Sequence, residues 1–127
     1  MFACFWLFGY IAKYMEVEMD ENRKALLNAR AAVLKAMAHS TRLFIIEELE
    51  KEERCVCDLT EQIGADVSTV SKHLSVLKQA GIVIDDKRGN QVFYRLRVPC
   101  ILNFFGCIES VLESSARDQV ALLNVVG

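Results

Sequence analysis

The apolar positions change period twice along the chain, from helical to alternating and back to helical. From about Asp20 to Met37, Leu26, Ala29, Val33 and Met37 recur at three- and four-residue intervals, while Arg23, Lys24, Arg30 and Lys35 lie elsewhere. That spacing puts one apolar stripe along a helix, suited to a core or to a subunit seam. His39 or Ser40 then offers a break and a cap, and Thr41 to Leu49 predicts a second helix with Leu43, Ile46 and Leu49 inward. His39 reads as a capping or surface histidine.

Asp58-Leu59-Thr60-Glu61 has the form of a capping box, with Asp58 as N-cap of a short helix that Gly64 ends. Ser68-Thr69-Val70-Ser71 starts the next helix, whose buried side is Val70, Leu74 and Leu77 and which closes at Gly81. Ile82-Val83-Ile84 and Val92 to Leu96 flank a polar tip carrying Gly89-Asn90, which predicts a β-hairpin. Pro99 starts a last helix bearing Ile101, Leu102, Phe105, Ile108, Val111 and Leu112, and the tail Val120 to Val126 is apolar again. The fold class is therefore mainly α with a small β-hairpin. No internal repeat, long linker or low-complexity stretch interrupts it.

Length and composition place this pattern in one globular domain. The chain has 127 residues, 53% of them hydrophobic and 25% charged, which excludes disorder. Its net charge of −2 carries no sign of a polyanionic partner, but the distribution does. Between Ser68 and Arg97 the residues Lys72, Lys78, Lys87, Arg88, Arg95 and Arg97 outweigh Asp85 and Asp86, a local balance of +4. Glu47, Glu48, Glu50, Glu52 and Glu53 crowd a separate stretch against Lys51 alone. Such asymmetry suits a groove-facing surface with its carboxylates held away from phosphate.

Five cysteines, Cys4, Cys55, Cys57, Cys100 and Cys107, are an odd number without a secretory signal, which favours metal or redox chemistry over a disulfide scaffold. Cys55 and Cys57 are expected just before a helix. Residues two apart diverge within a helix but share a face in extended chain, so the boundary lets both sulfurs clamp one ion. The helix N-terminus also favours thiolates. Cys100 and Cys107, seven apart on one predicted helix, share a face but stand about 10 Å apart along its axis. They do not both bind one ion unless that helix is broken. Either can join Cys55 and Cys57, within a subunit or across a dimer, or be a small buried core residue.

The run Phe2 to Ala12 is too short to span a bilayer and lacks a basic n-region. It suits an arm packed on a dimer, a lipid-surface segment, or residues upstream of a start at Met15 or Met19. The expected organisation is an apolar arm over 1–19, a DNA-binding and dimerisation domain over 20–115, and a tail over 116–127.

At Ala38-His39-Ser40-Thr41-Arg42-Leu43, Cys55-Val56-Cys57-Asp58-Leu59, Ser68 to Leu74 and Lys87 to Tyr94, the chain resembles the ArsR/SmtB family. The resemblance covers roughly Arg23 to Leu112 in one order. It implies a dimeric winged helix-turn-helix repressor in the cytoplasm that leaves operator DNA when a metal or metalloid binds, with no membrane partner and no catalysis. The recognition helix would be Ser68 to Ala80, with Ser68, Thr69, Ser71, Lys72 and His73 facing bases or phosphates. Lys87, Arg88, Asn90 and Gln91 at the wing tip would reach the flanking groove.

The resemblance makes Cys55 and Cys57 the metal ligands, with Cys107 or Cys100 as a third and Cys4, on the N-terminal arm, as a further candidate. Arsenic sensors of this pattern commonly carry another cysteine where this chain has Thr60, and the family's zinc, nickel and cobalt sites use histidines that are missing after His73. Thiolates suit As(III), Sb(III), Bi(III), Cd(II) or Pb(II), and a trivalent metalloid is the favoured inducer. The alternative keeps the DNA-binding fold and makes the cysteines a redox or reactive-sulfur switch. A thiol oxidoreductase is disfavoured by the lack of a Cys-x-x-Cys motif and of a Gly-rich cofactor loop. An adaptor with structural zinc is the remaining reading, separable by salt-dependent duplex binding.

Overall fold

Helix α1 (Glu21–Met37) reaches the core only at its C-terminal end, where Ala36 and Met37 are buried; Leu26 and Leu34 remain about half exposed. The computed structural model describes residues 20–126, so the arm 1–19, with Cys4, lies outside the described residues. After α1 the chain stops at His39, whose extended backbone lets Nδ1 accept the Thr41 N–H at 3.1 Å. Helix α2 (Ser40–Lys51) follows and buries Ile45, Ile46 and Leu49. Leu43, expected inward, is only half-buried; the inner face is centred on Ile45 and Ile46 because α2 packs against both the next helices and the sheet.

Strand β1 (Arg54–Cys55) leads into helix α3 (Val56–Ile63), and helix α4 (Val67–Gln79) follows after Gly64 turns the chain with φ of 73°. Leu59 of α3 and Val70, Leu74 and Leu77 of α4 are fully buried against Ile45 and Ile46. This helix-turn-helix is the expected one, with the start of α4 moved to Val67. The wing is β2 (Val83–Arg88) and β3 (Gln91–Leu96), paired antiparallel from Val83↔Leu96 to Arg88↔Gln91. Gly89 has φ of 62°, and glycine at the first central position is the pattern of a two-residue hairpin turn.

Three features depart from expectation. The strands continue through the supposed polar tip, because residues facing water need no apolar alternation to pair. β1 also adds a third strand, in the order β1-β3-β2, with Arg54 opposite Tyr94 and Cys55 opposite Phe93. Pro99 then begins a 3-10 turn (Pro99–Phe104), not a long helix, and helix α5 (Phe105–Val126) follows, running across the 115–116 boundary. Ile101, Leu102, Phe104 and Phe105 pack on the core, whereas Val111, Leu112 and Leu123 are more than three-fifths exposed. No described helix is long and apolar enough to cross a membrane.

A polar cluster ties α2 to α4. Arg42 donates through Nε to the Ala36 carbonyl, and its Nη1 lies 3.4 Å from His73 Nδ1. The His39 and His73 rings pack at a 40° tilt with centroids 4.5 Å apart. Burial, then the charges of His39 and Arg42, hold the His73 pKa below the ordinary 6.5. The fold thus favours neutral His73. Its stabilising contribution is complete above pH 6.5 and is lost on acidification, as the unfolded chain takes up the proton first. Carboxylates held low, such as Glu48 and Asp66, act only below their ordinary 4.5 and 3.8. The urea midpoint should therefore fall between about pH 7.5 and about pH 5.5, and less so in His73→Gln. Equal falls in the two proteins would show that His73 is not the cause.

Candidate nucleic-acid interface and thiol site

Helix α4 buries one side in the core, so its small polar residues face outward by default. Asp66 caps it: Thr69 N–H donates to Asp66 Oδ1 at 2.7 Å and Ser68 Oγ donates to the same oxygen at 2.8 Å. The Thr69 backbone and the Ser68 and Thr69 side chains hold the Asp66 acid below its usual range, with Lys72 adding attraction. Asp66 was legible as an Asx cap three residues before Thr69 but was not among the expected functional residues. Ser68 and Lys72 are exposed, and Thr69 and Ser71 are half-buried. His73 turns to Arg42 and His39 on the inner flank of the helix. Lys78 Nζ meets Asp85 Oδ2 at 2.8 Å, which raises the lysine pKa and fastens α4 to β2.

At the wing tip Lys87, Arg88, Asn90 and Gln91 are all exposed, as expected, but not equally free. Arg88 forms a two-pronged pair with Glu53, with Nη2 to Oε2 at 3.0 Å, and its Nε donates to Asp86 at 2.9 Å. The guanidinium also lies 4.7 Å over the Phe93 ring. The hydrogen bonds it donates to Glu53 and then to Asp86 raise its already high pKa. Gln91 Nε2 points to Cys57 Sγ at 3.9 Å.

Cys55 and Cys57 meet. Their sulfurs are joined in a disulfide with the Cα atoms 5.3 Å apart; Cys55 is buried and Cys57 exposed. The boundary differs from the expected one: Cys55, not Asp58, is the N-cap of α3, and its Sγ accepts the Asp58 N–H at 3.2 Å. Pairing with Phe93 holds Cys55 extended, so the helix can begin only at Val56, and Cys57 falls in its first turn. The sulfurs still converge because one comes from extended chain and the other from the helix. The Asp58 carboxylate completes a group whose ligand atoms lie within 4.8 Å of one another.

Cys100 and Cys107 are not on one helix and are not in the core. One lies in the 3-10 turn and the other in the first turn of α5, both as exposed free thiols, and neither belongs to the group around Cys55. Thr60 Oγ1 donates to the Val56 carbonyl at 2.7 Å, so that position turns back on its own helix.

Residues 39–85 match the family model described as bacterial regulatory protein, arsR family. An HTH-type transcriptional regulator of Mycobacterium tuberculosis is 32% identical over 100 residues, covering 78% of this chain and 88% of that protein. The arsenical resistance operon repressor of Bacillus subtilis is 37% identical over 79 residues, 61% of this chain and 75% of that repressor. A solution structure of a homodimeric winged helix-turn-helix DNA-binding domain from Mycobacterium bovis superposes with a TM-score of 0.66. It is 27% identical and covers 80% of this chain and 94% of its own. With the capped helix, the basic wing and these relatives in agreement, the chain belongs to the arsR family of bacterial regulatory proteins, as a winged helix-turn-helix transcriptional regulator and not an enzyme.

Proposed function

We propose that this regulator occupies an operator in the cytoplasm as a homodimer and represses transcription. It lets go when Cys55 and Cys57 capture a thiophilic ion, with As(III) or Sb(III) ahead of Cd(II) or Pb(II). The observation that carries the proposal is the convergence of two sulfurs at the junction between the wing sheet and the helix-turn-helix. The donor set fits. Two sulfurs and a carboxylate oxygen gather at one point, and soft donors select soft ions. Once a thiol reductant has opened the S–S bond, each thiol replaces one hydroxyl of arsenous acid: two As–O bonds break, two As–S bonds form, and the thiol protons leave with the hydroxyls as two waters. The third position keeps its hydroxyl or takes Cys107, Cys100 or, from the arm, Cys4.

A second reading has a specific observation behind it, the direct S–S bond. There the two thiols lose two electrons and two protons to an oxidant such as a peroxide, which is reduced to water. On DNA, Ser68, Thr69, Ser71 and Lys72 face the major groove, and Lys87 and Asn90 follow the flanking backbone. His73 supports α4 from behind, and Arg88 reaches phosphate only by leaving Glu53. The exposed apolar faces of α1 and α5 form the seam with a second copy.

Lys72→Ala should weaken duplex binding across sequences and lower the salt slope by about one contact; an unchanged slope contradicts this docking. Sedimentation equilibrium at micromolar concentration should give a dimer, and a stable monomer would remove the seam. The Cys55→Ser/Cys57→Ser protein should bind operator normally but fail to release it with arsenite or peroxide. Normal release would end the proposal, and mass spectrometry separates ion uptake from loss of two hydrogens.

A further inference from the structure

The wing tip is bound to the thiol segment at three places. β1 joins the central strand of the sheet, with Cys55 opposite Phe93 and Arg54 opposite Tyr94. On one side of the turn, Arg88 is held by Glu53, two residues before Cys55. On the other side Gln91, the cross-strand partner of Arg88, lays its amide on Cys57 Sγ. Both residues that close the hairpin are thus fastened to residues 53–57.

The sulfur of Cys57 therefore has two neighbours that can answer a change in its chemistry. Helix α3 is one, but it is anchored through Leu59, which has no exposure, among the fully buried side chains of α2 and α4. The wing tip is the other, and its ties are exposed polar contacts. Exposed contacts of this kind are worth a fraction of a buried leucine, so the wing yields first.

We propose that Gln91 and the Glu53–Arg88 pair are positioning residues that carry the state of the thiol pair to the wing. This rests on the reading of that pair as the release trigger. The Gln91 contact is made to the sulfur of the disulfide. When that bond has been reduced and Cys57 Sγ turns to bind an ion, it gives up the Gln91 amide, and the wing tip loses that side-chain tether. Lys87 then leaves the position in which it lies along the duplex beside α4, and Arg88 goes back from phosphate to Glu53.

The test compares operator affinity with and without arsenite in the whole protein, for wild type, Gln91→Ala and Glu53→Gln. Both variants should unfold at the wild-type temperature and take up arsenite with wild-type stoichiometry. Whatever their affinity without inducer, the ratio of the two affinities should shrink by about fivefold or more. In the Cys55→Ser/Cys57→Ser background, neither substitution should change the ratio further. Ratios within about twofold of wild type in both variants, with wild type releasing normally, would overturn the wing route while leaving the trigger intact. If wild type itself does not release with arsenite, the trigger fails and this inference falls with it.

Discussion

The pairing of Cys55 with Phe93 is the contact on which the arrangement turns. It fixes one cysteine in extended chain at the edge of the wing sheet. The helix-turn-helix can start only at the next residue, and the same sulfur caps its first helix through the Asp58 N–H. One residue is thus buried in the sheet, satisfies a helix N-terminus and holds half of the reactive pair. Cys57, a turn away and exposed, supplies the accessible half. Without β1 the thiols would be joined to α4 through α3 alone, with no backbone pairing to the wing sheet.

Much of this was legible in the residues. The three-and-four spacing around Val70, Leu74 and Leu77 gave the recognition helix, and Gly89-Asn90 gave the hairpin turn. What escaped is physically of one kind. β1 is two residues long, too short to show a period, and its existence depends on a partner strand nearly forty residues away. The shift of the N-cap from Asp58 to Cys55 follows from that pairing, since a capping box is judged on local chain alone. Pro99 correctly marked a helical start, but the break at Phe104 depends on Ile101, Leu102, Phe104 and Phe105 docking on the core. That break puts Cys100 and Cys107 on different elements. Gln91 was expected at the flanking groove and Glu53 in a separate acidic stretch; their ties to Cys57 and Arg88 carried no signal, because a charge or an amide at a hairpin end reads as solvated surface.

Electrostatics reinforce the geometry. A net charge of −2 leaves little general attraction for DNA, so binding relies on the local basic stretch and on how much of it is free. Lys78 is committed to Asp85 and Arg88 to Glu53 and Asp86, which leaves Lys72 and Lys87 as the uncommitted cations of α4 and the wing tip among the described residues. Surface ion pairs contribute about 0 to 1 kcal/mol, so phosphate can displace Glu53 from Arg88 at little cost. On the proposed docking, Glu53 would therefore set how readily the wing joins the duplex. A hundredfold change in affinity needs only about 2.7 kcal/mol of coupling, within reach of a few such contacts.

The central claim is that the thiol pair and the DNA surface are coupled, and coupling is reciprocal. If an ion on Cys55 and Cys57 weakens operator binding, the operator must weaken ion binding by the same factor. The direct measurement is an arsenite titration of the reduced protein, once free and once saturated with operator duplex, alongside the operator affinity with and without arsenite. The account predicts a weaker arsenite affinity on DNA, by the same factor that arsenite imposes on DNA binding. Equal arsenite affinities in the two titrations would contradict it.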